Sequence, residues 1–226
     1  MTNNLSKDGS KHATDEVFNT CSHLAGAIFA LLGTAILIVY SSIDHKPWHI
    51  VGFAIYGFSL CGLFMASTLH HGMRASASTE RLLRSLDYGA VFLLIAGTMT
   101  PICLTVLRGP LGWCLLGVTW TVAICGAVLR FTFPSLPKWI TNTLYVSMGW
   151  FGLAAAWPVF KRLSWLGLFL LATGGIVYTI GALIYAVEKP NPIPAKFGFH
   201  EIWHIFVIVA TLIIFLFMLF CILPLP

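Results

Sequence analysis

Charge is the scarcest property of this 226-residue chain. Asp, Glu, Lys and Arg together make up 9% of it, against about 25% in a soluble domain. With 58% hydrophobic residues, a soluble core is excluded and a polytopic membrane protein is predicted. The length allows one bundle and no sizeable domain outside the membrane. The six cysteines form no C-x-x-C pair and mostly lie inside apolar runs. They read as small buried hydrophobes, which excludes a disulfide framework and a thiolate-rich metal site. The first 15 residues are polar and of mixed charge, without the basic, apolar and cleavage segments of a signal peptide, so the first apolar run is expected to stay as a helix. No tandem repeat of a doubled transporter is present. The net charge of +5 bears on membrane orientation before it bears on any nucleic-acid partner, and none is expected.

What the chain does have is seven apolar runs long enough to span, near 22–41, 50–70, 86–107, 111–130, 139–157, 164–186 and 201–223. A span needs about 20 residues. The predicted fold is all-α, a seven-helix transmembrane bundle, with a polar tail at 1–15 and a membrane domain over 16–226. Turn-like breaks separate the runs: Asp44 to Pro47, Arg74 to Arg84, Arg108 to Pro110, Phe133 to Pro137, Lys161-Arg162, and Glu188 to Lys196 with three prolines. With the N-terminus inside, nine basic residues (Lys7, Lys11, Arg74, Arg81, Arg84, Arg130, Lys138, Lys189, Lys196) lie on the inner side. Four (Lys46, Arg108, Lys161, Arg162) lie outside. That asymmetry predicts a cytoplasmic N-terminus and an external C-terminus.

On this topology the polar residues of four helix ends share one leaflet. Glu16, Asn19, Ser22 and His23 open the first span; Ser67, His70 and His71 close the second; Asp87 opens the third; His200, Glu201 and His204 open the seventh. An ionisable group near a bilayer is costly, so each is a candidate functional residue. His200 and His204 are four apart and share a helix face, as do Ser67 and His71. Three histidines, His71, His200 and His204, would leave an open fourth position on a zinc ion, the mark of a catalytic site, where water is acidified to a pKa of roughly 7. Asp87 can orient that water or take its proton, and Ser67 can hydrogen-bond a developing oxyanion. Each has a plainer explanation. Ser67 can bond the carbonyl one turn back. Asp87, read as first-turn, can simply favour the helix dipole. His70 and His71 compete for one role, and spacing from Ser67 admits both. Glu16, Asn19 and His23 form one stripe that either backs the ligands or only packs the first helix against its neighbours.

Taken together, Glu16-x-x-Asn19-x-x-Ser22-His23, Ser67-x-x-x-His71, Leu86-Asp87 with Ala96-Gly-Thr-Met-Thr-Pro101, and His200-Glu-Ile-Trp-His204 resemble the hemolysin III family. That family is the bacterial branch of the progestin and adiponectin receptor-like proteins, with alkaline ceramidases among its wider relatives. The resemblance runs from about Glu16 to the C-terminus. It implies a seven-helix fold with a cytoplasmic N-terminus, in a bacterial inner membrane, and a zinc held by His71, His200 and His204. It also implies Asp87 and Ser67 as the acting side chains. In the ceramidase-like relatives this constellation hydrolyses a lipid amide, so a membrane lipid is the expected substrate. His70 stands where many members carry a Tyr.

Three functions compete with or refine that expectation. One is a non-enzymatic, receptor-like regulator with a structural zinc. Another is the lytic activity of the family name, which finds little support in a chain with no amphipathic pore segment. The third is an intramembrane metalloprotease, because His200-Glu201-Ile-Trp-His204 also reads as H-E-x-x-H with Glu201 as base. Only 22 residues follow His204, with no Asp, Glu or His among them, so a downstream third ligand is lacking.

Overall fold

The computed structural model describes residues 7, 12, 14–194 and 196–226. The expected tail at 1–15 therefore lies largely outside the described residues. The described chain is helical, apart from one isolated antiparallel bridge between Ile193 and Phe197. Seven helical segments are long and apolar enough to cross a membrane. Large apolar side chains face outward, with Phe29, Phe58 and Trp165 73%, 82% and 78% exposed. Such a surface is stable in lipid and not in water.

The helices are α1 (Glu16–Ile43), α2 (Pro47–Gly72), α3 (Ala77–Leu104), α4 (Pro110–Thr132), α5 (Lys138–Gly149), α6 (Ala156–Arg162), α7 (Trp165–Val187) and α8 (Phe199–Phe217). Local chemistry sets most of the ends. Asp15 caps α1 by accepting from the Val17 and Phe18 N–H groups, and Ser76 and Ser164 cap α3 and α7. Pro47 and Pro110 begin α2 and α4, where a missing N–H costs nothing.

Two elements differ from the sequence reading. The third span starts at Ala77, not near 86, because Ser76 caps a polar, amphipathic helical start. Ten residues of α3, about 15 Å of helix, precede Asp87. Asp87 thus sits in the third turn, and stabilisation by the first-turn dipole does not account for it. The fifth span is not one continuous helix. It is α5, a 3₁₀ turn over Phe151–Ala155, and α6. Pro158 clashes with the carbonyl four residues before it, and Gly149 and Gly152 lower the helical preference of the same turn.

α1, α2, α3 and α4 pack as consecutive neighbours, and α8 packs on α7 and returns to α1. Small residues allow the closest approaches. A Cβ on Gly57 would lie 2.1 Å from Thr34 Cγ2, and one on Gly97 would lie 1.9 Å from Ser59 Oγ. Phe53, Tyr56, Phe64 and Phe217 fill the centre. At the end away from α8's start, Lys46 Nζ donates to the Leu223 carbonyl (2.9 Å), and His49 Nε2 lies 3.1 Å from the Ile222 carbonyl. Arg162 donates to the carbonyl of Val106. These side chains satisfy carbonyls at or just beyond helix ends. His49 lies inside α2, whereas the sequence reading began that span at residue 50.

Candidate metal centre

Three helix ends and the third turn of α3 deliver the polar residues to one place. His71 is in the last turn of α2, His200 and His204 are in the first turns of α8, Asp87 projects from α3, and Glu16 begins α1. His200 Nε2 lies 3.3 Å from His71 Nε2 and 3.1 Å from His204 Nε2. Ligand atoms of these three residues all lie within 4.8 Å of one another, and all three side chains are buried. The group can hold a metal ion. A second group with the same closeness is His70, His71 and Asp87, the last half-buried.

The residues behind the triad fix its orientation. Glu16 Oε2 is 2.6 Å from His71 Nδ1. A carboxylate at this position accepts a hydrogen bond from Nδ1–H, and in that tautomer Nε2 carries the lone pair toward His200. Glu16 is held in turn by Thr14 Oγ1 at 2.6 Å and the Lys7 N–H at 3.3 Å. Lys7 also donates through Nζ to the carbonyls of His71 (2.9 Å) and Met73 (2.5 Å), closing the end of α2. His23 stacks on His204, with centroids 3.7 Å apart and planes 24° apart. Asn19 makes no bond to a histidine; its Nδ2 donates to Glu201 at 3.2 Å.

Glu201 faces away from the triad. Oε1 accepts from the Asp15 N–H (2.7 Å) and Asn19, and Oε2 accepts from the Gly198 N–H (2.8 Å). Both oxygens are thus spent joining the first turns of α1 and α8. Sequence reasoning weighed Glu201 as the base of an H-E-x-x-H motif or as a first-turn carboxylate favoured by the helix dipole, and did not foresee this tether to Asn19 and the Asp15 N–H.

A cavity of about 800 Å³ opens beside the triad. It runs through the bundle to Leu107 just past α3, Phe160 near the end of α6 and Leu168 near the start of α7, and apolar side chains dominate its wall. Its polar end carries His200, His204, His23, Ser67 and Asp87. The volume falls within the range of about 300–1,000 Å³ typical of small-ligand pockets. His70 is 2% exposed and its ring nitrogens have no hydrogen-bond partner among the described residues; neither it nor His71 is part of the cavity wall. Sequence reasoning missed Tyr185 and Lys138. Tyr185 packs against His200 (centroids 5.6 Å apart), and its hydroxyl lies 2.8 Å from that of Tyr88. Lys138 Nζ lies 5.1 Å from the Tyr185 ring centre.

Comparison with known proteins places the chain in a family. A family model described as haemolysin-III related matches residues 11–215. Hemolysin-3 of Bacillus cereus is 38% identical over 93% of this chain and 93% of its own length. The Hemolysin-3 homolog of Bacillus subtilis is 34% identical over 94% and 96%. The human monocyte to macrophage differentiation factor is 26% identical over 85% of this chain and 78% of its own. With seven membrane-spanning helices and a match along almost its whole length, the chain belongs to the haemolysin III-related family of integral membrane proteins.

Proposed function

We propose that the protein is a zinc-dependent hydrolase that cleaves an amide or ester of a membrane lipid at the cytoplasmic face of a bacterial inner membrane. The observation that carries this reading is the convergence of His71, His200 and His204, two of which, His200 and His204, line the polar end of an apolar cavity. The donor set fits zinc. Nitrogens about 2.0–2.1 Å from a tetrahedral ion lie roughly 3.3 Å apart, close to the 3.3 and 3.1 Å separations found here. Three neutral imidazoles supply no charge of their own, and the Glu16 carboxylate behind His71 strengthens that ligand. Bound there, zinc would supply a Lewis acid that polarises a carbonyl and acidifies water.

The chain's own side chains divide the remaining work. Asp87, on the cavity wall, orients a water and accepts its proton. Ser67 lines the same cavity on the opposing helix and offers a hydroxyl to the oxygen that gains charge as the carbonyl is attacked. The long apolar wall takes an acyl chain and keeps bulk water from the reacting end. Glu201 serves the architecture, since both its oxygens are taken by groups of α1 and α8.

The test is metal analysis of the purified protein together with turnover of acyl amides and esters in detergent. About one zinc per chain is expected, with turnover abolished in His71→Ala and lowered roughly 10²–10⁴-fold in Asp87→Asn. Tightly bound zinc with no turnover of any lipid would favour the receptor-like regulator, because the triad also joins α2 to α8 and is buried. Dye leakage from vesicles without metal dependence would favour lysis, the activity in the names of the Bacillus relatives.

A further inference from the structure

The wall of the cavity contains a second polar group that the hydrolytic reading does not use. Lys138, Thr141, Asn142 and Tyr145 stand at i, i+3, i+4 and i+7 of α5, so they form one face of that helix, and all four line the cavity. Thr141 and Asn142 are 4% and 8% exposed. Thr141 Oγ1 and Asn142 Nδ2 have no hydrogen-bond partner among the described residues. Tyr145 is already engaged, donating to the Tyr88 carbonyl at 2.5 Å. Two buried polar groups facing an apolar cavity are costly unless something binds them. The next residues along this face are Val146 and Gly149, where the wall becomes apolar.

We infer that this face of α5 is a head-group subsite for an acyl-chain amphiphile whose head is an oxyanion, a phosphate or a carboxylate. The inference deepens the lipid-hydrolase reading and rests on it for the chemistry, though not for the binding. Thr141 offers a hydroxyl, Asn142 an amide NH₂, and Lys138 an ammonium. Hydrogen bonds from such donors to an ionised acceptor are the strong ones. Lys138 is held at the mouth by Glu188, 3.0 Å from Nζ, and by the faces of Tyr185 and Phe199. The Tyr185 ring touches both Lys138 and His200, so the subsite lies one aromatic ring from the triad. A lipid with its head here and its chain along the cavity therefore brings the bonds next to its head beside His200 and Asp87.

The experiment measures binding of dodecyl phosphate, lauric acid, dodecanol and inorganic phosphate to the purified full chain in detergent, before and after chelator treatment. The variants are the near-isosteric Thr141→Val and Asn142→Leu, checked for unchanged melting temperature and metal content. The wild type should prefer both anionic amphiphiles to dodecanol, with or without metal, and inorganic phosphate alone should compete poorly. Each variant should weaken the anionic amphiphiles about ten-fold and leave dodecanol unchanged. Equal binding of dodecanol and dodecyl phosphate would overturn the subsite. So would a preference that disappears with the metal, which would place the anion on the triad, or one that survives both substitutions. Competition by inorganic phosphate as strong as by dodecyl phosphate would overturn the amphiphile. A protein that takes up no zinc, as purified or on addition of zinc, but still shows the preference would sink the hydrolase reading and keep the subsite.

Discussion

Besides Glu16, which is bonded to His71, two carboxylates stand close to the histidines, and their surroundings separate them. Glu201 lies within the literal H-E-x-x-H motif, yet three donors occupy its oxygens. Asp87 lies on another helix and lines the cavity. Glu201→Gln replaces one acceptor oxygen by an NH₂ facing backbone N–H groups, so a lower melting temperature is expected with metal content preserved. Asp87→Asn should do the reverse, keeping the melting temperature and losing turnover. Loss of turnover in Glu201→Gln at full stability, with Asp87→Asn still active, would reinstate the protease-like reading. The same logic separates the adjacent histidines. His71 Nε2 meets His200 and its Nδ1 meets Glu16, so His71→Ala should lose bound metal. His70→Ala should keep it, and Glu16→Gln should weaken it about 10–100-fold. Equal metal content in wild type and His71→Ala would remove His71 from the site. Spacing from Ser67 left His70 and His71 level, and it was the family resemblance that selected His71. In the structure the direction of each ring, which no spacing encodes, tells them apart.

At the scale of helices, seven apolar runs were legible because hydrocarbon thickness imposes a length that composition reveals directly. The breaks were legible where proline or paired charges stood, as at Pro47 and Pro110. The start of α3 was not. Arg81 and Arg84 resemble a loop by hydropathy, but Ser76 caps a helix that carries them on its surface. The division of the fifth span was written in Gly149, Gly152 and Pro158, and a count of apolar residues passes over all three. The contact of Lys7 with the end of α2 was not legible either, since nothing in a polar tail specifies which carbonyls a lysine will reach. The metal reading has its own consequence here. An ion shared by His71 and His204 fastens the end of α2 to the start of α8, two helices far apart in sequence. Anything that binds only the folded state raises its stability. Chelator should therefore lower the melting temperature of the wild type by several degrees and leave His71→Ala unmoved. A chelator shift of equal size in both proteins would mean that the ion sits elsewhere.

For the molecule as a whole, the structure shows that the polar groups gather at one end of the bundle, and the basic residues propose which side of the membrane that end faces. Glu16, His71, Asp87 and His200 share the end with Lys7, Arg81, Arg84 and Lys138, whereas Lys46, Arg108 and Arg162 stand at the other. Lys46 and Arg162 spend their charge on helix carbonyls, and Arg108 lies over the Trp48 ring, 4.7 Å from its centre. Cations so engaged give little pull on orientation once folded, but the bias acts during insertion, when all of them count. The nine-to-four asymmetry therefore predicts the histidine end in the cytoplasm and the C-terminus outside. The head-group subsite then draws on the cytoplasmic leaflet, where anionic lipids and soluble zinc pools both have access to it. Paired C-terminal fusions decide the matter in intact bacterial cells. Alkaline phosphatase, active only when exported, should be active, and a fluorescent protein that matures only in the cytoplasm should stay dark. A second pair at the loop between α2 and α3, near Ala75, should give the opposite result. If the C-terminal fluorescent fusion glows and its phosphatase counterpart is silent, the bundle is inverted. The triad would then face the outside, and its substrate would have to come from the outer leaflet.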